Sequence, residues 1–197
     1  MARWQPDSRS RLEQAALALY GERGFEETTV AAIAERAGLT ERTFFRYFSD
    51  KREVLFGGSG QLQELLVTAV VDAPASATPI DAVTVGLDAL GVLFVGRRDF
   101  ARQRQAIIVA SAELRERELI KLATLAAAVA DALRRREVGD PVAGLTGEVA
   151  VAVFKIAFEH WVADDNTQDL SHLMREALAE LRSVTSGGSP SVRPSRG

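Results

Sequence analysis

Cysteine is absent from this chain, and histidine occurs only twice. The first absence removes disulfides, thiol nucleophiles and cysteine-bound zinc together, and it agrees with a reducing cytoplasm. The second leaves little for catalysis or metal binding. Glu159 and His160 are adjacent, so on a helix they point ~100° apart and cannot chelate one ion between them. His160 with Asp164 has a possible i,i+4 geometry, but a surface or partly buried histidine is the reading adopted. No nucleophile–base arrangement, phosphate loop or HExxH is present. No catalytic residue, metal site or cofactor is expected, and the chain is not read as an enzyme.

An excess of positive charge is missing too. Formal net charge is -3, and residues 1–56 carry nine basic and nine acidic side chains, leaving 15 and 18 for the rest. A basic surface must then be local, made by one helix face. No apolar run approaches the ~20 residues a membrane helix needs; the longest candidate, VAVAVFKIAF (149–158), is interrupted by Lys155. The opening MARWQPDSRSR lacks the apolar core of a signal peptide. A soluble, cytoplasmic protein without a membrane partner is expected. Strand signals are nearly absent as well.

What is present has the helical period. Leu12, Ala15, Ala16 and Leu19 share a face of a first helix, about 10–22, which Gly24 stops. Thr28 or Thr29 can cap a second helix, VAAIAERA, closed by Gly38. Thr40 can cap a third, ERTFFRYF, and Asp50 a fourth beginning KREVLF. Three short helices with a four-residue AGLT connection form a helix-turn-helix layout. Gly57, Gly58 and Gly60 fall inside the fourth helix, each costing ~1 kcal/mol against alanine; a helix held by packing or kinked there, and a hinge, are both open. Longer helices are predicted at about 80–95, 99–110, 112–137, 142–163 and 169–184, with breaks at Gly139–Pro141 and at Asp164–Asn166. The tail SGGSPSVRPSRG is expected to be disordered. The fold class is all-α: a helix-turn-helix domain at 1–56, a helical bundle at 57–185 and a tail at 186–197.

The third helix carries the chemistry. Phe44, Phe45, Tyr47 and Phe48 crowd five positions. At 100° per residue, Phe44 and Phe48 lie ~40° apart, while Arg42 and Arg46 lie at ~160° and ~200° from Phe44. Burying the two phenylalanines contributes ~2–3 kcal/mol each, which turns the arginines outward. Two guanidinium groups one turn apart can enter a major groove and bond guanine O6 and N7. Helix starts capped by Thr29 and Thr40 offer N–H groups to phosphate, and Lys51 adds a cation beside them. Without further pattern, Arg42 and Arg46 could equally be a solvated face.

The surrounding residues do form a pattern. From Gly24 to Leu55 the chain reads GFEETTVAAIAERAGLTERTFFRYFSDKREVL, which resembles the TetR family of bacterial transcriptional regulators. The resemblance rests on Gly24-Phe25, Thr29, Ile33-Ala34, Ala37-Gly38-Leu39-Thr40, Thr43-Phe44-Phe45, Tyr47-Phe48 and Lys51 with Val54-Leu55. It implies a regulator that binds double-stranded DNA, most simply a repressor released from a palindromic operator by a small-molecule effector. It further implies phosphate contacts from Thr29, Thr40 and Lys51, and base or backbone contacts from Glu41, Arg42, Thr43, Arg46 and Tyr47. Many members carry tyrosine where this chain has Phe45, so Phe45 is left to pack on sugar or to cover the core flank.

The resemblance also implies a homodimer built on the last two long helices. GEVAVAVFKIAFEHWV is apolar over much of its surface, and Leu170, Leu173, Met174, Ala177, Leu178 and Leu181 recur at helical spacing on the next. Two-fold symmetry would set recognition helices ~34–36 Å apart or somewhat more. Phe94, Phe100, Phe154, Phe158 and Trp161 are candidate effector-lining residues, with ordinary core as the alternative. Arg97, Arg98, Arg102 and Arg104 read as a solvated charged face, an anionic effector such as an acyl-CoA being the other possibility.

Overall fold

The computed structural model describes residues 7–163 and 165–185. Asp164 and the tail at 186–197 lie outside the described residues. All regular structure among the described residues is helical: α1 (Ser8–Arg23), α2 (Val30–Arg36), α3 (Glu41–Tyr47), α4 (Glu53–Phe56), α5 (Ser59–Val71), α6 (Pro79–Leu93), α7 (Arg98–Ala110), α8 (Ala112–Arg135), α9 (Val142–Val162) and α10 (Leu170–Thr185).

The starts of these helices follow from local chemistry. The first N–H groups of a helix have no partner within it, and a short polar side chain supplies one. Asp7 accepts from Ser10 N–H at 2.8 Å, Thr29 from Ala32 N–H at 3.2 Å, and Thr40 from Thr43 N–H at 3.2 Å. Thr78 caps α6 just ahead of Pro79. Of the two threonines available to α2, Thr29 is the cap; Thr28 is buried and donates to the Gly24 carbonyl at 2.8 Å. Gly24, at φ +84°, ends α1, a backbone state that glycine adopts without a Cβ penalty.

The region expected to form one fourth helix is two. α4 stops at Phe56, and α5 begins at Ser59 after Gly57 and Gly58. Asp50 caps the turn that leads in, accepting from the N–H groups of Arg52 at 2.8 Å and Glu53 at 3.1 Å. Gly57 is a close approach: a Cβ there would lie 2.7 Å from an Arg9 guanidinium nitrogen, and that guanidinium bonds the Gly57 carbonyl at 3.2 Å. Contrary to expectation, Glu53–Val71 together is long and apolar enough, by length and composition, to cross a membrane. Its first turn instead buries Val54, Leu55 and Phe56 in a core shared with α1.

The described residues form two compact units, 7–62 with 99–122, and 63–98 with 123–163 and 165–185. The first unit therefore holds more than residues 1–56. Its core unites Leu12, Ala16, Leu19 and Tyr20 of α1, Ile33 of α2, Phe44 and Phe48, the α4 residues, and Ile107, Ile108 and Leu114 from α7 and α8. In the second unit α6, α9 and α10 pack on one another. Glycines allow the approach: a Cβ on Gly91 would fall 2.9 Å from Ser171 Cβ, and one on Gly147 would fall 2.5 Å from the Ala126 carbonyl oxygen.

Candidate nucleic-acid interface

The exposed surface of α3 is set by what the helix buries. Phe44 is 0% exposed and Phe48 3%, their ring centroids 5.4 Å apart. The opposite face carries Arg42 and Arg46, both exposed, and Glu41 at the start of the helix is exposed as well. Phe45, at 55% exposure, stands on the outside with its ring edge-to-face on Phe44 at 5.5 Å. It does not cover the core flank; it is presented. Tyr47 is 37% exposed and braces its neighbour, since Arg46 donates to the Tyr47 hydroxyl at 2.9 Å and its guanidinium lies 4.8 Å from the ring centroid. That brace reduces the conformational freedom Arg46 would lose on engaging a partner.

The turn between α2 and α3 is held from α1. Arg11 donates to the Ala37 carbonyl, and Gly38 adopts φ +64° beside that contact. Arg36 grips Glu22 with two bonds of 2.6 Å, and this guanidinium holds the Glu22 carboxyl below the usual carboxylate range. Both groups are exposed, so the pair fixes geometry more than it adds stability. Thr40 and Thr43 hydroxyls lie 3.0 Å apart and share one proton. One hydroxyl proton of the two is left to donate outward, while Thr29 keeps its own.

Lys51 is engaged within the fold. Its ammonium donates to the carbonyls of Phe25, Thr28 and Glu26 at 2.8, 3.0 and 3.1 Å, and it lies 4.3 Å from the Phe25 ring centroid. A phosphate contact would require breaking part of this arrangement. Nothing in the sequence pointed to it, because the acceptors are backbone atoms.

Of the five aromatic side chains proposed to line an effector site, four come together in the second unit. Phe94 lies 6.0, 5.8 and 5.6 Å from Phe154, Phe158 and Trp161, centroid to centroid. Phe100 belongs to the first unit and is 46% exposed. Arg98 donates to the Ala163 carbonyl while its Nε is buried without a partner. Arg104 is not part of a solvated face: it is 20% exposed and bonded to Leu55 and Glu118. No cluster of three metal-ligating side chains occurs among the described residues. His172 faces Glu176 at 3.5 Å, and His160 is exposed.

A helix-turn-helix with an outward basic and aromatic face, joined to further helices, defines a DNA-binding regulator as a class. The family profile "Bacterial regulatory proteins, tetR family" matches residues 13–56, and the profile "MftR C-terminal domain" matches residues 77–186. The chain belongs to the TetR family of bacterial transcriptional regulators.

Its relatives are regulators also. It is 26% identical over 184 residues to the protein assigned as mycofactocin biosynthesis transcriptional regulator MftR in Mycobacterium tuberculosis, covering 90% of this chain and 88% of that one. It is 36% identical over 77 residues to the HTH-type transcriptional regulator TcmR of Streptomyces glaucescens, a match spanning 39% of this chain and 34% of TcmR. Among solved structures, the fatty acid degradation regulator FadR of Bacillus halodurans superposes with a TM-score of 0.60 at 17% identity, covering 91% of this chain and 96% of that one. Thermus thermophilus FadR, a TetR-family repressor in complex with lauroyl-CoA, gives 0.56 at 24% identity over 96% and 99% of the two chains. Bacillus subtilis FadR in complex with stearoyl-CoA gives 0.58 at 20% over 87% and 96%.

Proposed function

We propose that this regulator is a cytoplasmic homodimeric repressor, released from a palindromic operator by a small-molecule effector. The observation that carries the DNA half is the division of α3, with Phe44 and Phe48 buried beneath an exposed Arg42, Phe45, Arg46 and Tyr47. Arg42 and Arg46 read base edges, where a bidentate guanidinium–guanine pair is worth ~1–3 kcal/mol of discrimination. Thr29, Thr40 and Thr43 supply hydroxyls to the phosphate backbone, and Phe45 and Tyr47 pack on sugar and phosphate. Residues 1–56 do this work, and residues 57–185 dimerise and bind effector.

Support for the dimer comes from α9 and α10. Leu145, Val149, Ala152 and Ile156 form a stripe at helical spacing on α9, Leu145 65% and Ile156 49% exposed. On α10, Leu181 is half-buried and Val184 is 62% exposed. A second copy of the chain covers this surface, and its symmetry matches a palindrome. The effector enters among Phe94, Phe154, Phe158 and Trp161, parting rings that now touch. Acyl-CoA thioesters are the first class to test, because two neighbours of the same fold hold lauroyl-CoA and stearoyl-CoA.

Effector binding shifts α4 and alters the separation of the two recognition helices. α8 offers a route, since Arg117 and Lys121 bond Glu53 of α4 while the same helix continues to Arg135 in the second unit. Capture of genomic DNA fragments by the purified protein tests the reading and returns the operator. A palindromic fragment, lost on adding effector, is the expected result. If no fragment is enriched, the DNA-binding reading fails and a role through protein contacts takes its place.

A further inference from the structure

The side chain and the main chain of Lys51 are each tied to a different part of the first unit. An ammonium has three protons and no acceptor, and here the carbonyls of Phe25, Glu26 and Thr28 take all three, at 2.8, 3.1 and 3.0 Å. The Phe25 ring adds its negative face at 4.3 Å. The backbone carbonyl of Lys51 meanwhile accepts from the Tyr20 hydroxyl at 2.6 Å, and Tyr20 is 3% exposed.

The clasped turn sits directly before α2. Phe25 O also accepts from Thr28 N–H at 3.3 Å, so it serves the turn and the ammonium at once. Thr28 is 1% exposed and tied to Gly24, and the next residue, Thr29, caps α2. Three carbonyl oxygens converging on one point repel one another unless a cation lies between them. With the cation removed, the turn reopens to point those oxygens at water. The Thr29 hydroxyl and the start of α2 move with it.

We propose that Lys51 is a positioning residue of the DNA-binding surface: by clasping the Phe25, Glu26 and Thr28 carbonyls it fixes the start of α2 against the turn that follows α3, and it gives no proton to phosphate. This rests on the reading of α2 and α3 as the DNA-facing helices. It replaces one phosphate contact with a joint that sets where the Thr29 hydroxyl stands.

Arginine separates the two roles. A phosphate accepts arginine as readily as lysine, but a planar guanidinium fork cannot place three donors inside a pyramid of carbonyls. The full-length chain, Lys51→Arg and Lys51→Met are compared on the duplex that the wild-type chain enriches from a random-sequence library, across a salt series. Backbone amides of residues 26–32 are followed by NMR without DNA. The expected result is that both variants displace those amides and bind ~10-fold more weakly or worse, with the slope of log affinity against log salt unchanged.

Two results overturn the inference alone: Lys51→Arg binding like wild type, or Lys51→Met lowering the slope by ~0.9, the signature of one lost phosphate contact, with the amides unmoved. If the wild-type chain enriches no duplex, the DNA-binding reading fails and this inference falls with it, whatever the amides show.

Discussion

Arg104 donates through Nε to the carbonyl oxygen of Leu55 at 2.7 Å, and its guanidinium lies 5.1 Å from the ring centroid of Phe56. The last carbonyls of a helix have no partner within it and favour a cation, so this contact completes α4. At the other end of α4, Glu53 receives Arg117 at 2.5 and 3.0 Å and Lys121 at 3.5 Å. A four-residue helix is thus held at both ends by charged side chains of α7 and α8. Glu118 accompanies Arg104 at 3.4 Å, and burial pushes the Arg104 pKa below its usual value.

Arg104→Met therefore leaves the Leu55 carbonyl and Glu118 without their partner in a partly buried place. The expected loss is ~3 kcal/mol of unfolding free energy, the scale for removing one member of a buried charged pair. Urea denaturation measures it. Lys in this position reaches one acceptor and not both, so Arg104→Lys recovers less than half; a variant as stable as wild type would show the guanidinium to be dispensable.

On α3 the prediction separates binding from stability. Arg42→Ala and Arg46→Ala each weaken operator binding by ~1–3 kcal/mol, read by fluorescence anisotropy at one fixed salt concentration. Because both side chains are exposed, the thermal midpoint stays within the small range of surface substitutions. Tyr47→Phe removes the hydroxyl that Arg46 leans on and gives a smaller loss of affinity. Unchanged affinity in both arginine variants would mean that another face reads the DNA.

Helix α9 contains its own control. Gly147→Ala drives a Cβ to 2.5 Å from the Ala126 carbonyl oxygen, a backbone atom that cannot swing aside. Overpacking of this kind costs ~1–3 kcal/mol. Gly144→Ala, in the same helix with nothing within 4 Å of the new Cβ, stabilises by ~0.5–1 kcal/mol. Opposite shifts in thermal midpoint are expected. Equal shifts would mean that α8 and α9 do not approach as closely as the structure has them.

Asp50 makes the acid limb testable. The Arg52 guanidinium first, then the N–H groups of Glu53 and Arg52, hold its carboxyl below the ordinary aspartate range, against a smaller opposing effect of burial. A depressed folded-state pKa contributes stability above the unfolded value, and that contribution disappears as pH falls through the folded value. Wild type should exceed Asp50→Asn at neutral pH, and the two denaturation curves should converge between about pH 5 and pH 2. A gap that persists to pH 2 would assign the difference to something other than this charge.

Much of the fold was legible because it depends on neighbours in sequence. The spacing of Phe44 and Phe48 predicted the face that is buried, and Thr29, Thr40 and Gly24 marked helix ends that the structure has. The helix boundaries of the second half fall within about two residues of expectation because their periodic stretches are long. Lys51 and Arg104 make contacts that the sequence did not announce, for one shared reason. Each looks like a surface cation, while its partners are main-chain carbonyls 23 to 26 and 49 residues away. A carbonyl has no side-chain identity, so no sequence pattern announces it. Gly57 and Gly58 were visible, but the approach of Arg9 to Gly57, 48 residues away in sequence, was not.

Arginine carries nearly all the positive charge of this chain, and its only three lysines are Lys51, Lys121 and Lys155. The first is clasped by carbonyls, the second is bonded to Glu53 and the third faces Glu159. None belongs to α3. Acetylation, which neutralises amines and leaves guanidinium groups untouched, thus has no target on α3 itself and reaches the surface proposed to read DNA only through the clasped Lys51.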